Sequence, residues 1–225
     1  MAQFRVGADI GGTFTDIVFL GPDGELHTKK ISSSVSNYAK AIADGLSDVF
    51  EEEGLSGDDV SEILHGTTVA SNAILELKGA RTGLITTKGF RDVLEIRNLR
   101  MPRLYDMAWV KPPTLVERYL RVVVPERINV RGAVRQPLDP VEAERAVDQL
   151  LKENVEAIAI CLLNSFANPE HEILIRDIVH RRSPETLCCI SYDVLPEIKE
   201  YERTSTTVIN SYVMPSAARY RDRCP

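Results

Sequence analysis

Apolar and polar residues alternate along "FRVGADI" and "TDIVFLG", a period of two that predicts strands. Between the second run and "LHTKKISS", the stretch "GPDGE" supplies the residues of a tight turn. Three short antiparallel strands are therefore predicted to open the chain. The period then lengthens: in "SNYAKAIADGLSDVFEEEG", Ala39, Ile42, Ala43, Leu46, Val49 and Phe50 recur at helical spacing. Ser36 or Asn37 suits the N-cap of that helix and Gly54 its stop, with Glu51 to Glu53 as a solvated end.

From there the pattern alternates. "VSEILHGTTVASNAILELKGA" reads as a short strand, a polar turn at His65-Gly66-Thr67-Thr68, and a helix carrying Val69, Ala73, Ile74 and Leu77. "RTGLITTKGFRDVLEI" repeats strand, polar turn and helix start. The Pro- and Arg-rich middle predicts an extended crossing segment, then paired strands in "RYLRVVVPERINV". "DPVEAERAVDQLLKENV" is an amphipathic helix with Pro140 in its first turn. "EAIAICLLNS" is a buried strand, "NPEHEILIRDIVHRR" a helix, "CCISYDVLPEI" a strand, and "EYERTSTTVINSYV" begins a further helix. Strand–helix alternation at this spacing implies crossovers onto one mostly parallel sheet, with the opening meander as its antiparallel edge.

Composition narrows the functional classes. The 225 residues suffice for a full core, and the 44% hydrophobic and 27% charged content is that of an ordinary globular protein. A net charge of -6 argues against coating nucleic acid or an anionic membrane, which requires surplus Lys and Arg. No apolar run approaches the roughly 18 residues of a membrane span, and "MAQFRVGAD" lacks the pattern of a signal peptide. Cys161, Cys188, Cys189 and Cys224 have no C-x-x-C spacing, so small buried residues in a reducing, cytoplasmic compartment are expected rather than zinc or iron–sulfur ligands.

The candidate chemistry begins at "DIGGTFTD". Gly11 and Gly12 allow a sharp bend and close approach of a ligand, successive backbone amides there can form an anion site, and Thr13 and Thr15 add hydroxyls. Asp9 is placed to hold hydrated Mg2+, while Asp16 can orient the turn or share the metal. The competing reading is a glycine-rich hairpin whose Asp and Thr satisfy their own backbone. The spacing is neither that of a Walker loop nor that of a dinucleotide fold. An Asp-led phosphate loop in a hairpin is similar to the first phosphate motif of the actin, Hsp70 and sugar-kinase superfamily. That similarity implies an α/β, ribonuclease H-like (actin-like ATPase) lobe: a mixed sheet opened by a three-strand antiparallel meander and followed by strand–helix units. His65, Thr67 and Thr68 at one strand end, and Thr86, Thr87, Lys88 and Gly89 at another, are candidates for substrate contact. Thr67 and Thr68 equally suit a helix cap. "ERTSTT" (202–207) is a helix start that either faces a cleft or merely caps.

A sharper resemblance rests on "DIGGTFTDIV", "HGTTVASNAILE", "GLITTKGFRDVLEI", "MPRLYDMAW", "AICLLNSFANPEHE" and "LPEIKEYERTSTTVINSYV". Together, from about Val6 to Val213, they resemble the N-terminal region of hydantoinase A proteins. That family includes ATP-dependent N-methylhydantoinases, 5-oxoprolinases and related subunits of acetone and acetophenone carboxylases. The resemblance implies residues 1–183 as an N-terminal lobe, with 184–225 as a connecting strand and the start of a second lobe. It implies ATP and Mg2+ as cofactors and a cyclic amide or related carbonyl substrate. Asp9 and His65 would be catalytic, with Gly11, Gly12, Thr13 and Thr15 as the phosphate cradle. The expected partners are further sequence of the same polypeptide, carrying a second phosphate motif, and a hydantoinase B-type subunit. A carboxylase subunit that activates a ketone or bicarbonate fits the same motifs. A non-catalytic binding lobe fits the single phosphate motif, which also implies that this stretch alone is inactive.

Overall fold

The computed structural model describes residues 4–11, 13–32, 56–98 and 105–221, together with 45, 47, 48, 50–52 and 54. The chain divides into two compact units, one of residues 1–78 with 216–225 and one of residues 79–215.

In the first unit, β1 (Phe4–Ile10), β2 (Phe14–Leu20), β3 (Leu26–Ser32) and β4 (Val60–Thr67) form a sheet in the order β3-β2-β1-β4. The three opening strands are antiparallel, as their alternation and turn predict, and β4 runs parallel to β1. Val6, Ala8, Ile17 and Phe19 point to one face and are buried, with Phe4, Ile31, Phe50 and Val60 packed against them. Phe50 meets the Phe19 ring edge-on at 6.0 Å. Most of the helix expected over 36–54 lies outside the described residues, but Gly45, Ser47, Asp48 and 50–52 are helical, and Gly54 follows with φ +66. Gly45 has a packing reason, because a Cβ there would stand 2.5 Å from Ile31 Cδ1.

Residues 65–67 depart from expectation. The predicted polar turn is the end of β4, where Ala8 pairs with His65, Asp9 with Gly66 and Ile10 with Thr67. A parallel partner satisfies the backbone of a stretch whose composition reads locally as a turn. Helix α1 (Val69–Leu75) starts immediately after Thr68, and Leu77 falls beyond it at φ 54, exposed.

In the second unit, β5 (Thr82–Thr87), β6 (Arg121–Val124), β9 (Ala157–Cys161) and β10 (Leu187–Ile190) form an all-parallel sheet in the order β10-β9-β5-β6. The parallel strands after β4 therefore build a sheet of their own instead of extending the meander. All five residues of β9 are buried. The 121–128 region also differs from its expected internal pairing: β6 joins β5, whereas β7 (Arg127–Ile128), set off by Pro125, pairs with β8 (Val134–Gln136). Pro cannot donate to a ladder, which separates the two runs.

The connecting helices are α2 (Val93–Ile96), α3 (Pro140–Lys152), α4 (Glu170–Arg182), α5 (Ser191–Val194) and α6 (Glu200–Arg221). Asp139 caps α3 by accepting the Val141 amide at 2.9 Å, with Pro140 in the first turn as the sequence predicts. Ala143, Ala146, Val147 and Leu150 on α3 and Ile175, Ile178 and Val179 on α4 share one core with β5, β6, β9 and β10. Among the described residues no helix is long and apolar enough to cross a membrane.

Candidate functional site

Gly11 donates its amide to the Phe14 carbonyl at 3.0 Å and thereby closes the β1–β2 bend. A Cβ on Gly11 would stand 2.8 Å from that carbonyl oxygen, so the bend needs glycine there. This amide is consequently spent within the hairpin and does not contribute to an anion cradle. Gly12 lies outside the described residues. Thr13 is exposed, and Phe14 is half exposed.

Alternation sorts the remaining candidates between the faces of the sheet. Lys30, Asp16, Asp9 and Gly66 are successive partners across β3, β2, β1 and β4, with the first three exposed on the face opposite the core. Lys30 Nζ lies 3.1 Å from Asp16 Oδ1. The Asp16 charge is thus shared with a cation, leaving Asp9 as the carboxylate of this row with room beside Gly66. The next row, Ile31, Thr15, Ile10 and Thr67, faces the other way, and Thr15 is fully buried. His65, paired with Ala8, is on that same second face, where its ring meets Tyr220 edge-on at 5.7 Å. The structure therefore brings Asp9, Gly11, Thr13 and Asp16 together, and it sets Thr15 and His65 on the opposite face.

Thr67 and Thr68 serve the backbone. Thr67 Oγ1 accepts the Val69 amide at 3.2 Å. The Ile10 carbonyl, one residue before the bend, accepts both the amide of Thr68 at 3.1 Å and its hydroxyl at 3.3 Å. "HGTT" thus fixes the exit of β1 while starting α1, which makes Thr68 a positioning residue for the bend.

The second set of candidates, at the carboxyl end of β5, is in the other unit. Lys88 is exposed, its amide donating to the Val124 carbonyl at 2.9 Å, and Gly89 adopts φ +96. Thr87 is fully buried: its hydroxyl donates to Glu126 Oε1 and accepts the Leu163 amide at 2.9 Å. His171 Nε2 accepts the Leu138 amide at 3.3 Å, so the proton is on Nδ1, which donates to Glu126 Oε2 at 2.8 Å. A second buried carboxylate, Glu172, accepts the Leu162 amide at 2.8 Å, the Ser191 hydroxyl at 2.7 Å and the Tyr192 amide at 3.1 Å. Burial pushes the Glu172 carboxyl above the usual range, against the lowering effect of those bonds. Arg203, from the "ERTSTT" start of α6, is buried, donating to the Leu162 carbonyl at 2.8 Å and lying 5.6 Å from the Phe166 ring. This network was absent from the sequence reading, whose one pointer was the "AICLLNSFANPEHE" run.

Burial likewise raises the thiols of Cys161, Cys188 and Cys189, which keeps them protonated and unreactive. Cys224 lies outside the described residues. Among the described residues no group of three or more His, Cys, Asp or Glu side chains is placed to hold a metal. A single exposed carboxylate still suits Mg2+, which keeps most of its waters and takes the rest of its ligands from a nucleotide.

Residues 5–183 match the family described as the hydantoinase/oxoprolinase N-terminal region. The chain is 35% identical to caprolactamase subunit alpha of Pseudomonas jessenii, covering 98% of this chain and 33% of that one. It is 33% identical to the acetophenone carboxylase gamma subunit of Aromatoleum aromaticum, covering 94% of this chain and 31% of that one. The crystal structure of the ATP-dependent caprolactamase from Pseudomonas jessenii superposes with a TM-score of 0.88 at 36% identity, covering 97% of this chain and 33% of that one. The chain spans about a third of the length of these two relatives.

Proposed function

The chain belongs to the hydantoinase/oxoprolinase family, and from that premise we propose that it is the N-terminal, phosphate-gripping part of an enzyme that uses ATP to open a cyclic amide. The observation that carries this reading is the outward β1–β2 bend. Asp9 and Thr13 are exposed at the bend, and Asp9 lies on the face opposite the buried Val6, Ala8, Ile17 and Phe19. An Asp kept for structure would be expected to have its oxygens tied to backbone amides, as Asp139 does at its helix cap.

In this reading Asp9 would hold Mg2+ through its waters, and the ion would neutralise charge on the nucleotide phosphates. Thr13 and Gly12, but not the Gly11 amide, would grip the phosphate tail. Thr15, from beneath, and Thr68, through the Ile10 carbonyl, would hold the bend in shape. An unactivated amide resists water because resonance stabilises it and nitrogen leaves poorly. Transfer of the γ-phosphoryl group to the amide oxygen removes part of that resonance and releases ADP. Water then adds to the carbon, the ring nitrogen departs with a proton to leave an acyl phosphate, and a second water releases phosphate and the carboxylate. Positioning and charge neutralisation supply most of the rate in such a site. The second phosphate motif, and a hydantoinase B-type partner subunit, would complete it. The test is Asp9→Asn in the complete polypeptide, following substrate-dependent ATP hydrolysis. A fall of about 100-fold or more is expected for loss of a metal-linked carboxylate, and unchanged turnover would remove the assignment.

A second reading follows from the acetophenone carboxylase relative: the same phosphate grip would activate a ketone or bicarbonate for a partner chain. ATP hydrolysis stimulated by ketone plus bicarbonate, and not by hydantoin, oxoproline or a lactam, would select it.

A further inference from the structure

A cavity of about 510 Å³ opens in the second unit between helix α2 and the start of α6. That volume is within the roughly 300–1,000 Å³ of small-molecule sites. Both walls are fixed in advance. On one side Phe90 donates its amide to the Thr87 carbonyl at 2.9 Å, and the Arg127 guanidinium lies 5.3 Å from its ring. On the other, the buried Arg203 anchors the first turn of α6. It donates to the Leu162 carbonyl at 2.8 Å and to the Glu197 carbonyl at 3.3 Å.

The lining is of three kinds. Phe90 and Ile96 supply apolar surface, Arg97 and Lys199 two cations, and Glu200 and Glu202 two carboxylates. Opposite charges around one cavity ordinarily pair with each other or with neighbours. Among the described residues none of these four makes an ion pair. Arg97 is also held at φ 61 and ψ -154, a region that glycine alone enters freely, while its guanidinium donates to the Pro112 carbonyl. Backbone kept in such a conformation clusters at ligand clamps and active sites.

The charges select the ligand. A nucleotide would bring its phosphates against two carboxylates, and a simple cation would meet two basic side chains. A neutral apolar molecule would desolvate four charges and satisfy none of them. The set complements a molecule with a carboxylate at one end, an ammonium at the other, and methylenes between them to lie on Phe90 and Ile96.

We propose that this cavity binds a zwitterionic amino acid, its carboxylate on Arg97 and Lys199 and its ammonium on Glu200 and Glu202. Opening a lactam with water yields such a molecule, because the amide carbon becomes a carboxylate and the ring nitrogen an amine. Identifying the ligand as that product rests on the cyclic-amide reading above. The test titrates the complete polypeptide, without ATP, with ε-aminocaproate, and with caproate and hexylamine as probes of a single charge. Isothermal titration should show saturable binding of ε-aminocaproate, about tenfold or more tighter than either single-charge probe. Lys199 is exposed and Glu202 half-buried, so neither substitution disturbs the core. Lys199→Gln should weaken ε-aminocaproate and caproate about tenfold while sparing hexylamine. Glu202→Gln should weaken ε-aminocaproate and hexylamine and spare caproate. No binding, equal binding of all three probes, or losses that ignore the charge of the probe would overturn the site. Because binding is read without ATP, these results leave the ATP-dependent reaction standing, whereas unchanged turnover of Asp9→Asn would remove that reaction and leave the site.

Discussion

Two strand ends in this protein carry the same chemical vocabulary and use it in opposite ways. At the β1–β2 bend, Gly11, Thr13 and Asp9 remain at the surface, with the acid and the threonine in solvent. At the end of β5, Thr87 is fully buried, and its hydroxyl is committed on both sides, to Glu126 and to the Leu163 amide. Glycine, threonine and charge at a strand terminus therefore mark two different things. One is a place where polar groups are left for a ligand; the other is a place where they satisfy each other so that a loop can be buried. The discriminating property is whether the hydrogen-bonding capacity has been spent inside the protein.

The contrast can be broken most forcefully at Glu126. Glu126→Ala leaves the Thr87 hydroxyl and the His171 Nδ1–H buried without acceptors, and a loss of about 3 kcal/mol in unfolding free energy is expected. Urea denaturation measures it, and a change under about 1 kcal/mol would mean that the buried cluster is not what stabilises this end of the sheet.

A subtler probe is pH. Because burial places the folded-state pKa of Glu172 above its ordinary value near 4.5, the folded state prefers the protonated form. The associated stability is fully present below about 4.5 and is lost as pH rises through the raised folded value. Glu172→Gln removes this titration, so its unfolding free energy should decline less than that of the unsubstituted protein as pH rises above about 4.5. Parallel slopes would dismiss the assignment. The smallest effect belongs to the other site. Asp9→Asn, expected to cut turnover by about 100-fold or more, should move stability by no more than about 0.5 kcal/mol, as for exposed positions generally. A large stability loss there would show Asp9 to be structural.

Much of the scaffold was legible because it is locally encoded. The "GPDGE" turn, the alternation of β1 and β2, the Asp139-Pro140 start of α3 and the uniformly apolar β9 each state their conformation within a few residues. His65 to Thr67 misled for the complementary reason: Gly66 belongs to a strand because Asp9, 57 positions earlier, is its ladder partner. Once that pairing exists, alternation assigns His65 and Asp9 to opposite faces, a consequence invisible while the segment reads as a turn. Glu126, His171 and Glu172 were unreadable as a cluster, since a charged residue between two strands or at the start of a helix looks solvated until the fold buries it.

The sequence by itself determined which segments are strands and helices, where the sharp bend falls, and, through several ordered motifs, the family. Those properties depend on local sterics, side-chain period and short-range hydrogen bonds. Tertiary structure alone decided that the strands separate into two sheets, that Asp9 faces water while Thr15 and Thr87 do not, and that two carboxylates, Glu126 and Glu172, lie buried at the ends of β5 and β9. Pairing and burial are relations between residues far apart in the chain, and they depend on how the strands pack together, which no single stretch encodes.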